Sequence, residues 1–114
     1  MKLYGIKNCD TVRRARKWLE SNKINYSFHD LREDGLTEAM LQEWADLTSW
    51  ELLFNKRSTS FRSLTETQKS NIIQSKAISL MVEHPTLVKR PILINNKQLH
   101  IGFKPAQYQE LFIK

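Results

Sequence analysis

Short segments in which apolar residues alternate with polar ones, or run together, predict four β-strands. The predicted strands cover residues 2–6, 25–29, 91–94 and 97–101. Between the first two, apolar residues recur at helical spacing (Val12, Ala15, Leu19). The predicted helix extends over residues 10–22. A strand, a helix and a strand at this spacing form a βαβ unit, so the first two strands should be parallel.

The centre of the chain predicts a series of helices separated by polar turns. The predicted capping residues are Thr37, Ser49 and Thr65, the last in a capping box with Gln68. Residues 55–60 are polar and predict a loop, whereas Ile72 and Ile73 are assigned to the helix that follows the capping box. A further helix over residues 77–82 should end before Pro85, because the residue preceding a proline disfavours helical geometry.

The C-terminal part of the chain predicts a hairpin and a last helix. Asn95 and Asn96 predict a two-residue turn, because asparagine tolerates positive φ. Gly102 should end the second strand of the hairpin, and Pro105 suits the first turn of a helix.

This order of elements predicts an α/β fold. We expect a thioredoxin-like three-layer sandwich with a mixed four-stranded sheet and a helical insertion between strands 2 and 3. The 114 residues suit a single domain, with a core formed by residues 1–30 and 86–114 and an insertion over residues 31–85.

Charge and composition limit the classes of function that the chain can have. The net charge is +6, and residues 84–109 contain four basic residues and no acid, so we expect a positive field that attracts anions. Nucleic acid is the less favoured partner, because no recognition-helix motif or stacking platform is evident. A single cysteine excludes an internal disulfide and favours a reducing cytoplasm. Neither a signal peptide nor a membrane span is predicted.

Cys9 is the candidate catalytic residue. It lies at the start of the first predicted helix, in a polar and mostly basic segment. Unpaired N–H groups at a helix start, and nearby cations, stabilise the thiolate, which is the nucleophilic form. The alternative is a structural cysteine that acts as a small buried apolar residue. The three histidines are scattered and there is one cysteine, so no metal site is predicted.

Four segments together resemble the arsenate reductase (ArsC)-like family, in particular its YffB branch, and more distantly Spx. They are Leu3-Tyr4-Gly5-Ile6-Lys7-Asn8-Cys9-Asp10-Thr11, Asn55-Lys56-Arg57-Ser58-Thr59-Ser60-Phe61-Arg62, His84-Pro85-Thr86-Leu87-Val88-Lys89-Arg90-Pro91-Ile92-Leu93 and Gly102-Phe103-Lys104-Pro105-Ala106-Gln107-Tyr108. The resemblance implies a thioredoxin-like fold, a nucleophilic Cys9, and an Arg90 that faces the thiol beside a cis-proline at Pro91.

The resemblance also implies the substrate-binding residues. The candidates are Arg90, Arg57, Lys7, Asn8, Pro91 and Lys104. Lys56 and Arg62 remain alternatives to Arg57 as the cation of the middle motif. Where arsenate reductases of the family place a third arginine, this chain has Phe103-Lys104, so we expect arsenate reduction to be weak or absent.

Two functions are consistent with this resemblance. The first is a glutathione-dependent thiol reductase with no bound cofactor, in which an external thiol resolves the intermediate on Cys9 because no second cysteine exists. Its partners would be glutathione, a small disulfide or oxyanion substrate, and glutaredoxin. The second is a Spx-like regulator that binds RNA polymerase. Spx has a C-x-x-C pair, whereas Val12 occupies the second position here.

Overall fold

The computed structural model describes residues 1–113. The strands are β1 (Lys2–Gly5), β2 (Ser27–Asp30), β3 (Ile92–Asn95) and β4 (Gln98–Ile101). The helices are α1 (Asp10–Ser21), α2 (Glu38–Leu47), α3 (Trp50–Leu53), α4 (Thr59–Arg62), α5 (Glu66–Lys69), α6 (Gln74–Glu83) and α7 (Pro105–Phe112). A 3₁₀ turn (Pro85–Leu87) follows α6. No helix within residues 1–113 is long and apolar enough to cross a membrane.

The four strands form one mixed sheet in the order β2-β1-β3-β4. β1 pairs with β2 in parallel, and its other edge pairs with β3 antiparallel. β3 and β4 form an antiparallel hairpin. The predicted α/β fold class, the parallel βαβ unit and the helical insertion between β2 and β3 are therefore confirmed.

The chain divides into two compact units. The sheet unit contains Met1–Asp34 and the chain from Arg90 onward, and the helical unit contains Gly35–Lys89. That these units form a single domain, with the boundaries given above, stays a prediction.

The core of the sheet unit lies between the sheet and two helices. Leu3 and Leu93 from the central strands, Ala15 and Leu19 from α1, and Tyr108 from α7 form one buried cluster. This places α1 and α7 on the same face of the sheet. Aromatic rings complete the packing, with Trp18 and Phe103 both meeting the Tyr108 ring edge to face.

Gly5 allows α1 to approach β1 closely. A Cβ atom at this position would lie 2.7 Å and 2.9 Å from the two γ-methyl groups of Val12. Real Cβ atoms essentially never make contacts this short. A hydrogen atom at position 5 is thus the reason that the first turn of α1 can rest against the end of β1.

The helical unit confirms the predicted caps and corrects two details. The side chains of Thr37 and Ser49 accept backbone hydrogen bonds at the starts of α2 and α3, and Thr65 begins α5 with a complete capping box. The predicted loop 55–60 was too long, because Ser58 caps the short helix α4.

The assignment of Ile72 and Ile73 to the helix after the capping box was also wrong. α5 ends at Lys69, and Asn71 then adopts a positive φ of 50°, which no continuing helix allows. Ile73 is the N-cap residue of the next helix, α6, and 64% of its surface is exposed.

The hairpin turn lies one residue later than predicted. Asn96 and Lys97 both adopt positive φ, at 52° and 64°, while Asn95 still pairs with Gln98. The type I′ geometry needs positive φ at both central positions. The run of two asparagines suggested the wrong pair, since Lys97 takes the second position instead.

Candidate functional site

Cys9 is the N-cap residue of α1. Its backbone is extended, with φ −104° and ψ 124°, and its thiol is half-buried. The Cys9 N–H donates to the carbonyl of Ile6 at 3.2 Å, and its own carbonyl accepts from the N–H of Arg13 at 2.9 Å. In the described chain the thiol caps no N–H group of α1. The donors of the first helical turn are therefore left for a thiolate or a bound anion.

The turn that carries Cys9 is held from the end of β2. The buried carboxylate of Asp30 accepts the backbone N–H of Lys7 through Oδ2 at 3.0 Å. Its Oδ1 accepts the N–H groups of Arg32 and Glu33 at 2.8 Å and 2.9 Å. Burial by itself would raise the pKa of this carboxyl, but the three N–H donors outweigh burial and hold the pKa below its usual value.

Sheet register brings most of the predicted site residues to one end of the sheet. Lys7, Asn8 and Cys9 follow the C-terminal end of β1. The antiparallel pairing of β1 with β3 places the start of β3, and the Arg90–Pro91 bond before it, at that same end. Because β4 runs antiparallel to β3, Lys104 also follows at this end.

The Arg90–Pro91 peptide bond is cis, which confirms the geometry that the resemblance implied. The Pro91 carbonyl accepts the N–H of Gly102 at 2.8 Å, so it extends the pairing beyond the β3–β4 ladder. Arg90 is half-buried, and Lys104 is exposed as the N-cap residue of α7. A role in substrate binding for these residues stays a prediction.

The cations nearest to Cys9 in sequence differ in what they contact. The Lys7 ammonium lies 2.7 Å from a Glu33 carboxylate oxygen, and this hydrogen bond raises the pKa of Lys7. Arg13 pairs with Asp10 one turn into α1. Asn8 is exposed. The Lys7 ammonium therefore forms an ion pair with Glu33 in this structure, whereas its predicted role was to bind substrate.

Arg57 belongs to the helical unit. Within that unit, Lys56, Arg57 and Lys89 line a cavity of about 490 Å³ together with the aromatic rings of Trp50 and Phe54. Two of the three cations considered for the middle motif therefore share one cavity. The choice of Arg57 among them is not decided by this geometry and stays a prediction.

Asp30 is the site residue that sequence analysis missed. The second predicted strand ends at His29, directly before Asp30, and no role was predicted for this aspartate. The available signal was an aspartate directly after alternating strand residues and just before the turn residues Glu33-Asp34-Gly35. Aspartate favours such positions because its carboxylate accepts nearby backbone N–H groups.

A thioredoxin-like sheet with a cysteine at the start of α1 and a cis-proline before β3 defines the class of thiol-redox proteins on this fold. The ArsC family model matches residues 4–111, and the chain therefore belongs to the ArsC family.

Three relatives illustrate this membership. An uncharacterized protein of Haemophilus influenzae is 44% identical over 110 residues, which are 96% of this chain and 96% of that protein. The solved structure of a YffB protein is 40% identical, covers 96% of both chains and superposes with a TM-score of 0.91. The global transcriptional regulator Spx of Streptococcus pneumoniae is 33% identical over 103 residues, or 89% of this chain and 77% of the regulator.

Proposed function

We propose that this protein is a glutathione-dependent thiol reductase of the cytoplasm, with Cys9 as its nucleophile. The observation that carries the proposal is the position of Cys9: it is the half-buried N-cap residue of α1, with its thiol engaged in no cap, at the sheet end that also holds Arg90 and Lys104. Helix N–H groups and cations at this end suit an anionic substrate beside the thiol.

Besides Cys9, the reaction needs one mixed disulfide of glutathione and one external thiol. The Cys9 thiolate attacks the glutathione sulfur of a mixed disulfide, forms a Cys9–glutathione disulfide and expels the substrate as its thiolate. A glutathione thiolate then attacks the glutathione sulfur of this intermediate, releases Cys9 and leaves oxidised glutathione. The external thiol is required because the chain has one cysteine.

The carboxylates of glutathione suit the cations at this sheet end. The Arg90 guanidinium can bind a carboxylate through two parallel hydrogen bonds, whereas the Lys104 ammonium acts as a point charge. Asn8, exposed beside the thiol, offers an amide, and Pro91 presents backbone without an N–H group. Arg57 of the helical unit is a further candidate for the anion on sequence grounds.

Mass spectrometry after treatment with oxidised glutathione tests this function. We expect one glutathione adduct, located at Cys9 and reversed by reduced glutathione, and none in Cys9→Ser. Arg90→Lys should lower the rate of adduct formation, because it keeps the charge and loses the paired hydrogen bonds. Arg14→Lys on the exposed side of α1 is the matched control and should react like the parent. A parent protein that forms no adduct would refute the proposal.

A second candidate function is that of a regulator that binds RNA polymerase. It is favoured by the likeness to the Streptococcus pneumoniae regulator Spx over most of the chain. Retention of purified RNA polymerase on the immobilised protein tests it. Retention by both the parent and Cys9→Ser would support an adaptor that does not need the thiol, and no retention by either would exclude it.

A further inference from the structure

Asp30 is the one buried charged side chain within residues 1–113, with 2% of its surface exposed. A buried carboxylate is unfavourable unless donors surround it. Here both oxygens have backbone donors: Arg32 and Glu33 at Oδ1, and Lys7 at Oδ2. The donors belong to two separate segments, so the carboxylate joins them.

These two segments are the turn after β2 and the turn before α1. The first is closed on itself, because the Asp34 N–H donates to the Asp30 carbonyl at 2.8 Å and the Asp34 carboxylate accepts the Asp30 N–H at 2.9 Å. The adjacent Leu31 N–H donates to the Gly5 carbonyl at 2.8 Å, which fixes this turn to the end of β1. Asp30 is therefore a rigid support.

The second segment is short. Lys7 is two residues from Cys9, and the Cys9 N–H donates to the Ile6 carbonyl across this turn at 3.2 Å. The ion pair of the Lys7 ammonium with Glu33 is exposed on both sides and contributes little. The bond from the Lys7 N–H to Asp30 is the charge-assisted one, and such bonds are the stronger kind.

We propose that Asp30 is a positioning residue for the Cys9 thiol: its carboxylate fixes the turn at Lys7 and thereby sets where the thiol stands at the start of α1. This inference rests on the proposed function, in which Cys9 is the nucleophile. Asp30 acts through the backbone of Lys7 and not on the substrate.

The carboxylate chemistry makes Asp30→Asn a selective change. Three donors need both oxygens, but an amide has one oxygen and one NH₂ group. The amide oxygen satisfies more donors if it stays with Arg32 and Glu33, which turns the NH₂ group toward the N–H of Lys7. Asp30→Asn should therefore break the contact with the nucleophile turn and keep the turn after β2.

Asp34→Asn is the matched control. It removes the same charge from the same turn, and its remaining amide oxygen can still accept the Asp30 N–H. It leaves the contact between Asp30 and Lys7 in place. A difference between the two variants thus reports this contact and not the loss of a negative charge.

Two measurements on the folded proteins test the proposal: amide hydrogen exchange at Lys7, and the rate of Cys9 alkylation by iodoacetamide as a function of pH. In Asp30→Asn we expect exchange at Lys7 to accelerate by about tenfold or more, alkylation to slow and its pH profile to shift. Asp34→Asn should match the parent in both. If Asp30→Asn is less stable but keeps the parent's alkylation profile, Asp30 is only structural and the proposal is overturned.

A measurement on the parent covers the case in which Asp30→Asn does not fold. Acid titration followed by NMR should shift the amide signals of Lys7, Arg32 and Glu33 with one common midpoint, that of Asp30, and the Cys9 amide should follow. A Lys7 amide that does not share this midpoint overturns the proposal. The glutathione adduct is scored separately: a parent without an adduct refutes the proposed function, while the alkylation and exchange data still decide the role of Asp30.

Discussion

Replacing Gly5 by alanine should displace the start of α1 and destabilise the protein. The added Cβ would meet both γ-methyl groups of Val12, at 2.7 Å and 2.9 Å. Rotation about χ1 of Val12 cannot relieve the overlap, because two of the three staggered positions hold methyl groups and at least one of them always faces position 5. The backbone of α1 has to move instead.

The expected loss follows from this geometry. Extra atoms forced into a packed interior typically destabilise by about 1–3 kcal/mol, and Val12 is fully buried, so we expect about 2 kcal/mol for Gly5→Ala. Val12→Ala alone should also lose about 2 kcal/mol, because it removes two buried methyl groups and leaves a cavity. In the double variant the new alanine methyl occupies space that Val12 vacated.

Urea unfolding of the four proteins checks this cycle. We expect the double variant to be clearly more stable than the sum of the single effects implies. Cys9 alkylation in folded Gly5→Ala should change as well, because Val12 and Cys9 share the first turn of α1. A Gly5→Ala protein as stable as the parent, or strictly additive effects in the double variant, would refute the argument from close approach.

Three further outcomes are expected. In Val12→Cys, the new thiol should attack the Cys9–glutathione disulfide, form an internal disulfide and release one glutathione, and mass spectrometry would contradict this by showing a lasting adduct. Tyr108→Phe should stabilise the protein by roughly 1 kcal/mol in thermal unfolding, because the buried hydroxyl finds no hydrogen-bond partner among residues 1–113, and a loss of stability would count against that reasoning. Burial lowers the pKa of His100, so the folded protein favours the neutral imidazole, and stability is lost as pH falls below the unfolded value of about 6.5. His100→Gln should therefore flatten the dependence of the unfolding free energy on pH in this range. An unchanged slope in the variant would exclude a contribution from His100.

The sequence predicted the sheet and its helices well because the signals are local. Alternation in strands, helical spacing and capping residues depend on neighbours only a few positions away, and Thr37, Ser49 and Thr65 cap helices as their residue types favour. The predictions were wrong where the backbone conformation differed from the one that the residue pattern favours. The backbone leaves helical conformation at Ser70 and Asn71, before Ile72, and Lys97 instead of Asn95 completes the hairpin turn.

For the candidate site too, sequence analysis predicted the local features and missed a contact between distant residues. The position of Cys9 at a helix start was predicted from local sequence, and the cis bond before Pro91 was predicted from the family resemblance. The support from Asp30 could not be predicted, because Lys7 and Asp30 are 23 residues apart and their contact depends on the parallel pairing of β1 with β2. Because Asp30 accepts a backbone N–H group, which nearly every residue type has, the identity of residue 7 does not indicate this contact.

The packing of Val12 is relevant to how the Cys9 thiol would be regenerated in the proposed reaction. The resemblance to Spx implies a second cysteine at this position in that branch, whereas here a fully buried valine rests against Gly5. Cysteine is smaller than valine, so the space between α1 and β1 does not exclude a second thiol. The valine instead adds buried apolar contact at the position where a resolving cysteine would stand. In the proposed reaction, dependence on an external thiol is therefore a consequence of this one side chain, because the packing between α1 and β1 leaves room for a second thiol.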